Sequence, residues 1–180
     1  MRTLPLCLLL SGLILAQPQH REIVNPSPNP ADDAKPNNPQ VPDVYAITGQ
    51  FTKVIILRFK FDADLLAGIE KMVREQKIRN AVILSAAGSV RGYHVHQVSN
   101  RTLPSKNMFV KDLNAPADLI SMNGYVIDGK VHAHMTLATP DHGFGGHLEA
   151  GTRVFTFAIV TLGILNDEVD LSRVDDMSYR

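Results

Sequence analysis

The sequence predicts an α+β fold, a mostly antiparallel β-sheet system with one main α-helix. Three observations carry this. Apolar and β-branched residues alternate with polar ones in several short segments bounded by turn residues, the pattern of strands. One stretch, FDADLLAGIEKMVREQK (61–77), switches to helical spacing. An Asp128-Gly129 pair divides two strand-like runs, the signal of a tight hairpin. At 180 residues the chain is long enough for one domain and too short for two comfortable ones.

The elements follow in order. Arg2 and the apolar run Leu4 to Leu15, with Ala16 before the expected cut, form a signal-peptide pattern over residues 1–16. That run is too short for a transmembrane helix, which needs roughly 20 apolar residues. The protein is therefore expected to be secreted or periplasmic, without stable membrane insertion. Residues 17–42 hold seven of the eleven prolines, and this composition predicts a disordered linker with too little apolar surface for a core. The folded domain is expected over residues 43–180. DVYAITGQ (43–50) and KVIILRFK (53–60) have strand character. In the helix, Leu65, Leu66, Ile69, Met72 and Val73 fall on one stripe, Asp62 or Asp64 can cap the start, and Lys71, Arg74 and Lys77 suit the C-terminal half. NAVILSAAGSV (80–90) and RGYHVHQVSN (91–100) return to strand character. DLISMNGYVIDGKVHAHMTLAT (118–139) reads as the hairpin. RVFTFAIVTLGIL (153–165) is apolar on both parities, the mark of a central strand covered on both faces or of one closing a subunit interface.

Composition narrows the function. Eighteen Lys and Arg balance eighteen Asp and Glu, so no strong field favours nucleic acid or an anionic membrane. Trp is absent and aromatics are few, which argues against stacking platforms for bases. The single cysteine, Cys7, falls in the expected signal peptide. Any metal site must then use His, Asp, Glu or backbone oxygen.

Four of the seven histidines crowd into VHAHMTLATPDHGFGGHLEAG (131–151). Side chains two apart on a strand share a face about 6.6 Å apart, so His132 and His134 point one way while Val131, Ala133 and Met135 point into the core. The turn-rich TPDHGFGG that follows can bring His147 back over the same face. Three neutral imidazoles so placed suit Zn²⁺ or another divalent transition metal, with a fourth position left for water or substrate. His142, in the connection itself, reads as a residue outside the ligand set. His94 and His96 repeat the His-x-His parity without a third partner in sequence, and could line the same cavity or a separate surface.

FDADLLAGIEKMVREQKIRNAVILSAAGSVRGYHV (61–95) and ADLISMNGYVIDGKVHAHMTLATPDHGFGGHL (117–148) together resemble the plant-and-prokaryote-conserved (PPC) domain, over roughly Tyr45 to Leu171. The Gly-Gly-His-Leu after His-x-His is the more specific part. The resemblance implies an α+β domain that is commonly a homotrimer. Bacterial members are often labelled DNA-binding, and plant relatives add an AT-hook. The fold is also similar to that of acetolactate decarboxylase, a zinc enzyme whose ligands, carried over by position, fall on His132, His134 and His147. This chain lacks the Arg-Gly-Arg-Pro core of an AT-hook and any basic excess.

The expectation is thus an exported protein holding a divalent metal, with a possible lyase or decarboxylase-like activity on a small organic acid. Such chemistry wants a cation for the substrate carboxylate, with Arg58, Arg91 and Arg153 as candidates. It also wants a general acid. Glu149 shares the parity of His147, and Asp118 and Asp141 are weaker candidates. The alternatives are a trimeric module that binds metal or a small ligand without catalysis, and a DNA-binding protein.

Overall fold

The computed structural model describes residues 19–180; the expected signal peptide, with Cys7, lies outside the described residues. Among the described residues, eight strands and two helices run in the order β1 (His20–Val24), α1 (Pro30–Asp33), β2 (Phe51–Phe59), α2 (Leu65–Glu75), β3 (Ala81–Val98), β4 (Asn107–Asp112), β5 (Ala117–Ile127), β6 (Lys130–Ala138), β7 (Gly143–Leu148) and β8 (Arg153–Leu165). Every pairing is antiparallel. The predicted α+β class therefore holds.

β3 organises the sheet. The two segments read separately at 80–90 and 91–100 form one 18-residue strand. Its first half pairs with β5 and β8, and its second half with β4 and β7. Because β5, β6 and β7 follow each other as neighbours and β7 returns to β3, the hydrogen-bonded path closes on itself. Register shifts between Ile83/Ser85, Gly88/Val90 and Val90/Gly92 mark where β3 departs from a regular ladder against β8, and such bulges bend a strand.

The helix α2 lays one face against the core and leaves Ala67, Lys71, Arg74 and Glu75 exposed. Asp64 caps it, its Oδ1 accepting from the Ala67 amide at 3.0 Å, while Oδ2 accepts from the Gly151 amide at 2.7 Å. Leu65, Ile69 and Val73 are buried, and Leu66 and Met72 pack partly buried against the same core. This is the stripe the spacing predicts. It meets Leu57, Phe59, Ile83, Leu119, Met122, Met135, Leu137 and Leu162 in one cluster. Burying each such side chain contributes about 1.5–3 kcal/mol.

Three elements differ from expectation. Residues 43–50 join no strand: Val44 is 84% and Ile47 40% exposed, so the alternation there buries nothing. Within the stretch expected to be a linker, β1 lies along β4, with every residue of β1 exposed. The composition indeed offers no core surface, but pairing with an edge strand needs only backbone groups. One turn further on, Asp33 is buried and accepts from the Ser105 amide at 2.8 Å and from the Ser105 hydroxyl at 3.1 Å. Finally, β8 is central, between β2 and β3, and is buried on both parities at Leu162, Gly163 and Ile164, but over residues 153–160 it is covered on one face only, which leaves open the expected alternative of a strand closing a subunit interface. Val154, Ala158, Val160 and Leu162 are buried, whereas Phe155, Phe157 and Ile159 are 46%, 41% and 38% exposed.

Candidate metal centre

The hairpin β5–β6 turns at Asp128 and Gly129, both at positive φ (46° and 78°), as a two-residue turn of this kind requires. β6 then alternates as predicted. Ala133, Met135 and Leu137 are buried, and His132 and His134 face the other way. The return to His147 is not a flexible glycine loop. A four-residue turn, Thr139 to His142, closes with the Thr139 amide donating to the His142 carbonyl at 3.0 Å, and Gly143–Leu148 is itself strand. The glycines serve close approach instead. A Cβ on Gly145 would stand 2.1 Å from the Met135 carbonyl oxygen.

Cross-strand register then fixes the cluster. His134 stands directly opposite His147, and His147 directly opposite His96. Directly opposed side chains have Cβ atoms about 4.5–5.5 Å apart. Ring centroids are 4.8 Å apart for His132 and His147, 5.2 Å for His134 and His147, and 5.3 Å for His132 and His134. One nitrogen from each of the three lies within 4.8 Å of the others. The expected tripod of His132, His134 and His147 is thus assembled in space.

Its electrostatics suit a cation. Burial, then the neighbouring His96 and His132, push the His147 imidazole down to about 4. Burial, then His132 and His96, lower His134. Both are neutral at pH 7, the form in which an imidazole donates a lone pair. His132 donates from Nδ1 to the Asp175 carboxylate at 2.9 Å, which leaves its Nε2 facing the His134 Nε2 at 3.2 Å. Two imidazole nitrogens at that distance need a proton or a cation between them. The donor set therefore fits a soft-to-borderline divalent metal with nitrogen ligands.

The second His-x-His belongs to the same surface. His96 stacks on His147 at 4.5 Å and donates from Nδ1 to Glu149 at 2.6 Å. Burial alone would raise the Glu149 carboxyl; the His96 hydrogen bond and the nearby imidazoles outweigh it and lower the value. Glu149, expected as a general acid, is thus a carboxylate accepting from His96. His94 donates from Nδ1 to the Ala150 carbonyl at 2.9 Å. Phe109 lies 4.9 Å from the His96 ring, and Lys111 stands opposite His94 across the strands. His142 reaches toward Thr139 at 3.4 Å and stays outside the tripod.

The arginine candidates have other partners. Arg58 lies over Phe157 at 6.0 Å, Arg91 pairs with Asp62 at 3.5 Å, and Arg153 donates to the Asp62 carbonyl at 2.9 Å. Asp141 is exposed in the β6–β7 turn, and Asp118, on β5, is placed opposite Ser89 and Ala138. Sequence reasoning missed Asp175 and Lys111. Only the strand register and the path of the chain end bring them to this face.

The profile of the Plants and Prokaryotes Conserved (PCC) domain matches residues 46–166. The chain belongs to this family. Solved structures agree on the fold. A metal-containing protein from Archaeoglobus fulgidus is 24% identical, with 70% of this chain and 89% of that chain covered, at a TM-score of 0.57. A plant- and prokaryote-conserved protein from Pyrococcus horikoshii is 24% identical, with 69% and 87% covered, at a TM-score of 0.56. A protein from Ralstonia eutropha, provisionally named for DNA binding, is 17% identical, with 62% and 77% covered, at a TM-score of 0.50. A search of curated proteins found no match. The matched span runs from the approach to β2 to the end of β8. The arm carrying β1 and the tail carrying Asp175 lie outside the family domain.

Proposed function

We propose that this family member is an exported protein that binds one divalent transition metal ion, zinc foremost, through His132, His134 and His147. The observation that carries the reading is the convergence of three imidazole nitrogens within 4.8 Å on one sheet face. The metal-containing relative from Archaeoglobus fulgidus supports it. The N-terminal signal-peptide pattern supports export. When bound, zinc would supply Lewis acidity, lowering the pKa of a bound water to about 7 or polarising a carbonyl.

The finer part of the proposal is a lyase or decarboxylase-like activity on a small organic acid. Three protein ligands leave a coordination position open, as in catalytic rather than structural sites. Glu149 and His96 place a hydrogen-bonded carboxylate and imidazole beside the tripod. Lys111, rather than any of the three arginines, shares the face on which a substrate carboxylate would lie. The protein is further proposed to be a homotrimer, its chains joined through the exposed apolar row of Phe155, Phe157 and Ile159 on β8, where Ile120 lines the same depression.

The test is elemental analysis of protein purified without a histidine tag, beside His132→Ala and His147→Ala. About one zinc per chain, lost in both variants, is expected from a three-ligand site. Wild-type protein without metal would overturn the reading. Tight, salt-dependent retention on duplex DNA in its place would favour the DNA-binding alternative.

A further inference from the structure

We propose that Asp175, on the C-terminal tail beyond the family domain, is the outer-sphere carboxylate of the histidine centre. By accepting the Nδ1 proton of His132 it holds Nε2 as the metal-binding nitrogen. The inference rests on the metal-binding reading above and adds to it a residue that the domain itself does not contain.

The geometry is specific. An imidazole has two nitrogens, and which one is free to ligate depends on where the other puts its proton. Metal-ligating histidines usually donate that second N–H to a carboxylate, a carbonyl or water, which fixes the tautomer and ring orientation and raises ligand basicity. His132 makes this contact with Asp175 Oδ2 at 2.9 Å, while its Nε2 faces His134.

The tail is built to deliver the carboxylate. Val169 and Leu171 are buried against Ile127, at the end of β5. Leu171 and Val174 line an apolar cavity with Tyr45 and Tyr125, and the Leu171 carbonyl accepts from the Val174 amide at 3.0 Å. Tyr125 is the cross-strand partner of His132, so seating Val174 there puts the next residue beside the imidazole.

Beyond Asp175 the chain is held again. Arg173 lies 4.6 Å over the Tyr179 ring, and Tyr179 meets Tyr45 edge-on at 5.8 Å. Arg180 donates to the carbonyls of Asp33 and Lys35 and pairs with the buried Asp33 carboxylate. Its carbonyl accepts from the Asn38 amide at 2.7 Å. The neighbouring Asp176 has a different task, accepting from the Ser178 amide and hydroxyl at 2.9 and 2.6 Å. The two elements outside the family domain, arm and tail, thus clasp each other and present one carboxylate to the site.

The test is zinc affinity of the full chain without a histidine tag, by competition with a chromophoric chelator. Wild type, Asp175→Ala, Asp175→Asn and Asp141→Asn are compared. Asp141→Asn removes the same charge from the exposed β6–β7 turn. Losing such an outer partner costs about 10–100-fold in metal affinity. Asp175→Ala is expected to show that loss with about one zinc per chain retained. Asp175→Asn, which keeps an acceptor oxygen, should lose less, and Asp141→Asn should match wild type. ¹⁵N NMR of the metal-free protein should place the His132 proton on Nδ1 in wild type and not in Asp175→Ala. Wild-type binding with unchanged affinity in Asp175→Ala would overturn this inference alone. Complete loss of zinc in a folded Asp175→Ala would make Asp175 a direct ligand and overturn it too. A wild type that binds no zinc overturns the metal reading, and this inference with it.

Discussion

His147 shows how one side chain links site and stability. It sits partly buried between His134 and His96 on the facing strands, and its folded value lies at about 4, below the ordinary 6.5. A group depressed in this way stays neutral in the folded protein while the unfolded chain takes up a proton. Between those two values the unfolded state binds more protons, so stability rises with pH across the window. The contribution is fully present above about pH 6.5 and is lost as pH falls toward about 4. Thermal melts of metal-free protein should therefore show a falling Tm over that interval, with a shallower slope in His147→Ala. An identical slope in both would refute the assignment to His147. His134, lowered for the same reason, acts in the same direction.

At the scale of elements, the β6–β7 hairpin decides whether three histidines become a tripod. Leu137 and Gly145 illustrate its two faces. Leu137 is fully buried on the core side of β6. Leu137→Ala should lower stability by about 2–5 kcal/mol in urea melts, from lost transfer and cavity terms, and leave zinc stoichiometry intact. Gly145 packs against backbone: its added Cβ would meet the Met135 carbonyl oxygen at 2.1 Å. Gly145→Ala forces β6 and β7 apart where His134 and His147 face each other, two residues away. It should weaken zinc binding more than Leu137→Ala does, even where the two are equally destabilised. Equal zinc affinities in the two variants would count against the hairpin as the positioning device.

For the whole molecule, the unanswered surface is the outer side of β8. Apolar residues on a lone chain's central strand are exposed where an interface is expected. Phe157→Asp should convert the proposed trimer to monomer in light scattering after gel filtration, since a charge in an apolar interface core is strongly disfavoured. A wild type that elutes as a monomer would remove the assembly proposal and leave the metal site standing. This face is separate from the tail, which packs on Ile127 and Tyr125.

Much of this was legible in the residues themselves. The helix stripe, an acidic cap at Asp62 or Asp64 and the Asp128-Gly129 hairpin follow from periodicity and turn chemistry, which act over a few neighbours. The parity of His132 and His134 is likewise local, because a strand's alternation depends on nothing distant. The choice of His147 came from a resemblance together with a plausible return of the chain, and the ladder between β6 and β7 supplied the actual contact. Other features had no local signal. Residues 43–50 alternate like a strand but find no partner, whereas His20–Val24, in a proline-rich stretch, find the edge of β4. His96 and Glu149 lie 53 residues apart, and His132 and Asp175 lie 43 apart. Sequence alone determined the helix stripe, the 118–139 hairpin and which way side chains alternate along a strand, since those depend on covalent neighbours. Tertiary structure decided which strands meet, in what register, and which carboxylate reaches which imidazole. Those contacts depend on the return of β7 to β3, which closes the sheet, and on where the tail that carries Asp175 comes to rest.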